Sequence, residues 1–105
     1  MIRVSFMYPT SPGKKFDHAY YADTHMPLVE QRFKAFGLRR YEVDRGARGG
    51  APGAPAPFVA AAHLYFERVE DFDRALAAHG KELLGDVPNY SEIAPQVQIS
   101  EIAAG

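Results

Sequence analysis

Cysteine is absent from the chain, which excludes a disulfide framework, a thiolate nucleophile and a thiolate metal site. Neither sign of charge is in excess, because 12 Lys and Arg oppose 13 Asp and Glu, with a formal net charge of -1 and a pI near 6.4. The charges are also scattered along the sequence. We therefore expect no nucleic-acid partner and no binding to an anionic membrane surface.

Long apolar runs and several catalytic motifs are absent as well. No stretch approaches membrane-spanning length, and the residues from Met1 to Tyr8 alternate like a strand, so we expect a cytoplasmic protein. The sequence contains no Gly-Lys-Ser/Thr, serine elbow, His-x-x-x-His or His-x-His, which argues against nucleotide binding, acyl transfer and a metal site. A metal site assembled by folding from His25, His63 and His79 has no support in the spacing. Haem binding has no signal beyond a free histidine, and we expect no cofactor.

What is present fits one globular domain over residues 1–105. The hydrophobic content of 47% is enough for a core, and a chain this short gains stability from a partner.

The chain is organised around the stretch from Phe16 to Gly37, which has the period of an amphipathic helix. Its apolar stripe contains Tyr21, His25, Leu28, Val29, Phe33 and Phe36. Because Pro27 lacks an amide hydrogen and crowds the carbonyl of Asp23, we predict a kink or two shorter helices meeting at Met26 and Pro27. Gly37 is a typical signal for the end of the helix.

Alternating and apolar segments predict four strands, and a second apolar stripe predicts a second helix. The strands are predicted at Ile2–Tyr8, Leu38–Asp44, Phe58–Phe66 and Pro95–Ile102, with Val97 and Ile99 facing inward in the last. The second helix is predicted to open between Glu67 and Asp71 and to end at Gly85–Pro88. Its inward stripe contains Phe72, Ala75, Leu76, His79 and Leu83.

Residues 45–57 form a tract of Gly, Pro and Ala with no period that would bury a face. We interpret this tract as one long loop. It is either a mobile connector, a lid over a site or an arm that reaches a partner subunit.

The order of the elements favours an α+β, ferredoxin-like βαββαβ fold, with a four-stranded antiparallel sheet and two helices on one face. The strand from Phe58 to Phe66 is apolar on both faces, although an antiparallel sheet normally keeps one face wet. A second copy of the sheet is the simplest cover for the free face. We therefore infer a homodimer that forms through the sheet face.

Four segments of the sequence carry a family resemblance. They are Phe16-Asp17-x-x-Tyr20-Tyr21-x-x-Thr24-His25-Met26-Pro27-Leu28-Val29, Gly53-Ala54-Pro55-Ala56-Pro57-Phe58, His63-Leu64-Tyr65-Phe66 and Asp86-Val87-Pro88-Asn89-Tyr90. Together they resemble the EthD family, whose members are named for ethyl tert-butyl ether degradation. The resemblance covers nearly the whole chain. It implies a dimeric α+β barrel, in which two ferredoxin-like protomers pack sheet to sheet.

The resemblance implies less about chemistry. Founding members of the family accompany a cytochrome P450 system, so an oxygenase system is among the expected partners. Relatives on this fold include muconolactone isomerases, cofactor-independent quinone-forming monooxygenases, haem-degrading enzymes and polyketide cyclases. The fold alone leaves the function open.

The candidate catalytic residues are His25, beside the break at Pro27, and Tyr21, one turn earlier. A phenol at that spacing can hydrogen-bond an imidazole, and such a histidine can move a proton to or from a small carbon acid or phenol. The alternative is a structural histidine bonded to a freed helix carbonyl. The resemblance favours function, because the His-x-Pro element recurs in the family.

The candidate substrate-binding residues are Tyr8, His63, Tyr65, His79 and Tyr90, which we expect in a cleft between helices and sheet. An aromatic lining with few polar groups suits a small apolar or aromatic ligand. Ordinary packing explains each of these side chains equally well when it is taken alone.

The leading hypothesis is an enzyme or oxygenase-pathway accessory that acts on a small, mostly apolar organic molecule by proton transfer through His25. Its chemistry would resemble that of an isomerase, a cyclase or a cofactor-independent oxygenase. The alternative is a non-catalytic ligand-binding or stabilising partner of a catabolic oxygenase system. In a third hypothesis His25, His63 and His79 all serve packing.

Overall fold

The computed structural model describes residues 1–105, which build one four-stranded antiparallel sheet with helices on one face. The strands are β1 Ile2–Pro9, β2 Leu38–Arg45, β3 Phe58–Phe66 and β4 Gln96–Glu101. Their order across the sheet is β2-β3-β1-β4, with every neighbouring pair antiparallel. This is the ferredoxin-like fold that the sequence predicts.

The strand register sorts the side chains into two faces. Val4 lies opposite Leu64, and both are buried beneath the helices, in the same core as Phe66. Because side chains alternate along a strand, Ser5 and His63 point to the opposite, outer face.

The first helical run, residues 18–36, changes pitch three times. It consists of α1 His18–Tyr20, a π-helical segment Tyr21–His25, α2 Met26–Phe33 and a 3-10 turn Lys34–Phe36. Asp17 caps its start, because the carboxylate accepts a hydrogen bond of 3.0 Å from the amide of Tyr20. Gly37 ends the run with a φ of 96°, a left-handed conformation that favours glycine.

The helix type changes from π to α at Met26. Two shorter helical segments therefore meet there, at the position of the predicted break. Pro27 stands in the first turn of α2, where an amide donor is not needed. The amide of Met26 instead bonds the carbonyl of Tyr21, five residues back. Tyr21 and His25, at the two ends of this wide turn, are both buried, with exposed fractions of 2% and 6%.

The second long helix, α3 Val69–Asp86, packs against α2 and is followed by a 3-10 turn, Val87–Asn89. Phe72, Ala75 and Leu83 are buried as predicted. The predicted burial of Leu76 and His79 is wrong, because both lie at the margin of the helix layer and stay partly exposed. No helix in the structure has the length and apolar character needed to cross a bilayer.

The edge strand β4 departs from its predicted burial. Val97 and Ile99 pair with Phe6 and Val4 and so share their face of the sheet. They are nevertheless 53% and 43% exposed, because the helices do not extend over this edge.

Residues 46–57 connect β2 to β3 as an arm with its own hydrogen bonds. The amide of Gly49 donates to the carbonyl of Ala54, and the hydroxyl of Thr10 donates to the carbonyl of Ala56. No residue of the arm lines the cavity between the helices and the sheet, so it does not form a lid there.

Replacing Gly80 with Ala is expected to stabilise the protein by up to about 1 kcal/mol, because glycine is a poor residue in the interior of a helix. The new Cβ would meet Leu76 Cδ1 at 3.0 Å, and that partly exposed side chain has room to shift. Urea unfolding measures the change. Gly85→Ala, in the same helix with open space around its Cβ, is the matched control. A loss of stability in Gly80→Ala alone would mean that Leu76 is held in place.

Candidate functional site

A mostly apolar cavity lies between the helical layer and the sheet. Its floor includes Phe6 and Leu64, and helices α2 and α3 contribute Val29 and Leu83 to its walls. The cavity volume is about 60 Å³, enough for a few water molecules. Leu84, one of the residues that line it, is 61% exposed to solvent.

His25 reaches this cavity with one ring nitrogen already engaged. Its Nδ1 lies 2.9 Å from Oδ2 of Asp86, the last residue of α3. A carboxylate can only accept, so Nδ1 carries the hydrogen of that bond. Nε2 has no protein partner and is the nitrogen available to a ligand.

Asp86 is held by two further donors. Its Oδ1 accepts hydrogen bonds of 2.8 Å from the hydroxyl of Tyr20 and of 2.8 Å from the side-chain amide of Asn89. Burial raises the pKa of Asp86, but the bonds from His25, Asn89 and Tyr20 outweigh it and bring the pKa below its ordinary value. Asp86 is therefore a carboxylate at neutral pH.

Three tyrosines form the polar end of the cavity. The hydroxyls of Tyr8 and Tyr90 lie 2.7 Å apart, and the ring of Tyr90 lies 4.6 Å from the His25 ring. The Tyr21 ring is parallel to His25 within 14°, with centroids 5.7 Å apart. Burial raises the pKa of Tyr8, Tyr21 and Tyr90, so all three remain neutral phenols.

Backbone bonds fix the position of Tyr90. The amide of Asp17 donates to the carbonyl of Tyr90, and the amide of Glu92 donates to the carbonyl of Lys15. The residues before α1 therefore hold the segment after α3, which places Tyr90 against His25.

The predicted pair of His25 and Tyr21 comes together, but its predicted contact is wrong. The two rings lie parallel within 14°, so Tyr21 stacks on the imidazole, and Nδ1 bonds Asp86 instead of the phenol. Tyr8 and Tyr90 also line the cavity, as the sequence predicts.

The predicted placement of the other three residues in the cleft is wrong. His63 and Tyr65 lie on the outer face of the sheet, where His63 contacts Ser5 and Asp44, and Tyr65 donates to Glu42. The period of two along β3 puts them on the face opposite Leu64. His79 lies at the helix margin, edge-on to Phe36, and does not line the cavity.

Sequence reasoning did not assign roles to Asp86, Tyr20 or Asn89. Asp86 and Asn89 belong to the segment Asp86-Val87-Pro88-Asn89-Tyr90, so that resemblance was the one available signal. Their link to His25 spans 61 residues and has no local pattern.

The chain brings no group of three His, Asp or Glu side chains together to hold a metal ion. His25, His63 and His79 lie in three different parts of the fold.

The contribution of Asp86 to stability is expected to disappear in acid. Its pKa is lower in the folded protein than in the unfolded chain, so the contribution is complete above the ordinary pKa of about 4 and is lost as pH falls through the lower folded value. Urea unfolding of Asp86→Asn and wild type at pH 7 and pH 3 should show a difference that shrinks at pH 3. The control is Asp73→Asn. The carboxylate of Asp73 lies in the same helix but is exposed and makes no hydrogen bond. An Asp86→Asn difference that is equal at both pH values would contradict the lowered pKa.

The fold and the site define a ferredoxin-like α+β protein with a His–Asp pair at an apolar cavity. The family model of the EthD domain matches residues 13–94, so the chain belongs to the EthD family. No curated protein matches the chain.

Solved structures agree with this assignment. An EthD-like protein from Ralstonia eutropha JMP134 superposes with a TM-score of 0.93 at 46% identity, over 98% of this chain and 92% of that one. An EthD family protein from Bacillus halodurans C-125 matches with a TM-score of 0.73 at 21% identity, over 97% and 98%. A dimeric ferredoxin-like protein from an uncultured marine organism matches with a TM-score of 0.64 at 12% identity, over 99% and 95%. The last two show similarity of fold alone.

Proposed function

We propose that this EthD-family protein acts on a small, mostly apolar organic molecule by proton transfer, with His25 as the acid or base. One observation carries the proposal. Asp86 holds Nδ1 of a buried histidine, and the other nitrogen is left without a protein partner at an apolar cavity. Isomerase-like, cyclase-like and cofactor-independent oxygenase-like reactions all use such a step.

The pair of His25 and Asp86 can both take up a proton and return it. With Nδ1 donating to Asp86, the lone pair of Nε2 takes a proton from the substrate, and the carboxylate balances the charge of the imidazolium. The imidazolium then returns the proton to another atom of the substrate. Tyr20 and Asn89 keep Asp86 in place during this cycle, since each occupies Oδ1 while His25 occupies Oδ2.

We also propose that the whole chain is one EthD-like domain that assembles as a homodimer through the outer face of its sheet. This face carries Arg3, whose Nε is buried without a hydrogen-bond partner. The dimeric marine protein has the same fold and supports the proposal. We further propose that the protein is cytoplasmic and that its partner is an oxygenase system.

Native mass spectrometry of gently purified protein tests the proposal. A dimer that retains a small apolar molecule, and converts it when incubated with it, is the expected result. A dimer that binds the molecule without ever converting it would favour a non-catalytic partner of an oxygenase system. A stable monomer would overturn the sheet-face assembly.

A further inference from the structure

We propose that the molecule bound in the cavity is uncharged and presents a hydroxyl, as a phenol or an enol, to His25 and the tyrosine cluster. Carboxylates and phosphates of the same shape are rejected. This inference rests on the proposed role of His25 and narrows its substrate class.

Two kinds of hydrogen-bonding group at the cavity, one acceptor and one donor, are not used within the protein. Nε2 of His25 is an acceptor without a protein partner. The hydroxyls of Tyr21, Tyr8 and Tyr90 bring three donors, and Tyr8 is the neighbour that the other two share, so bonds among them use two donors at most. The cavity therefore offers one acceptor and at least one phenolic donor.

A single hydroxyl satisfies both groups. It donates its hydrogen to Nε2 and accepts one from the tyrosine cluster, and the His25 ring lies beside that cluster, with its centroid 4.6 Å from that of Tyr90. When the proton moves, the O–H bond of the ligand breaks and the N–H bond at Nε2 forms. The electron pair stays on the ligand oxygen, where the tyrosine donor stabilises the oxyanion.

The charges around the cavity exclude an anionic ligand. No Lys or Arg lines it, and Asp86 lies directly behind His25. A carboxylate would bring a net negative charge into a site that no Lys or Arg lines, whereas a phenol enters neutral and leaves its proton on His25, so only the carboxylate meets the cost of burying an unpaired charge. A neutral hydroxyl does not meet this penalty.

The size of the cavity sets where the rest of the ligand lies. A volume of about 60 Å³ takes the hydroxyl end, and the apolar body must extend along the lining towards its two exposed leucines, Leu76 and Leu84. Both leucines are exposed and offer apolar contact to such a body.

A matched pair of probes tests the substrate class. Calorimetry at pH 7.5 compares 4-cresol with 4-toluate, which differ in hydroxyl against carboxylate on the same ring. We expect 4-cresol to bind at least about tenfold more tightly, which corresponds to a difference of about 1.4 kcal/mol in binding free energy. The triple variant Tyr8→Phe, Tyr21→Phe, Tyr90→Phe, which removes every phenolic donor of the cluster, should lower the affinity for cresol about fivefold, the usual worth of one hydrogen bond. Equal or tighter binding of toluate to wild type would overturn the proposal.

A second probe separates this inference from the role of His25. 4-Nitrophenol, buffered below its solution pKa, should gain phenolate absorption on binding to wild type but not to His25→Gln. Tighter binding of cresol without a phenolate band would support the proposed substrate class and contradict the role of His25 as the base. A phenolate band together with equal binding of toluate would support the role of His25 as the base and contradict the proposed substrate class.

Discussion

Replacing His25 with Gln is expected to slow conversion of the bound molecule by about 10²–10⁴-fold, the range that a positioned acid or base contributes. Glutamine can still donate a hydrogen bond towards Asp86, but it has no nitrogen that takes up a proton near neutral pH. Binding should change only a few-fold, because most of the cavity lining is apolar and unaltered. The measurement is the kcat and the Kd for the molecule that native mass spectrometry identifies.

His79→Gln is the matched control for this experiment. It makes the same change in a histidine that does not line the cavity, so the rate and affinity should stay at their wild-type values. Full turnover in His25→Gln would remove the proton-transfer role. An equal loss in both variants would point to a general effect on the fold.

Replacing Phe66 with Ala is expected to destabilise the protein by about 3–5 kcal/mol. The side chain is fully buried, and its ring packs against Phe33 and Phe72 with centroid distances of 6.2 and 5.8 Å. Removing the ring leaves a cavity where the sheet meets both helices. Since small domains have only about 5–15 kcal/mol of stability in all, urea unfolding should show a large shift of the midpoint.

Phe36→Ala is the control for Phe66→Ala, because it removes the same atoms from a partly exposed position at the helix margin. Its cost should be clearly smaller, since part of that ring is already in water. Equal costs in the two variants would contradict the central position of Phe66 in the core.

The sequence predicts the fold well because its signals are local. Alternation from Ile2 to Tyr8 and the apolar run from Phe58 to Phe66 specify strands, and Pro27 with Gly37 specifies the break and end of the first helical run. Each of these signals lies within a few residues of the feature that it predicts.

The site is predicted only in part, because its contacts are not local. Tyr21 and His25 share one helical turn and could be paired from their spacing. Asp86 bonds His25 from the far end of another helix, and only the fold brings it there. The prediction for His63 puts it on the wrong face of the sheet, since a strand that is apolar on both sides does not show which side the helices cover.

The strand order also has a consequence for how the protein is made. Strand β1 is synthesised before the other three strands and ends up between two strands from the second half of the chain, with Ile2 opposite both Phe66 and Glu101. Closing such long loops is slow, so sheet formation waits for late synthesis. Until β4 emerges, one edge of β1 lacks its final partner, and this edge is where a nascent chain would meet a chaperone or aggregate.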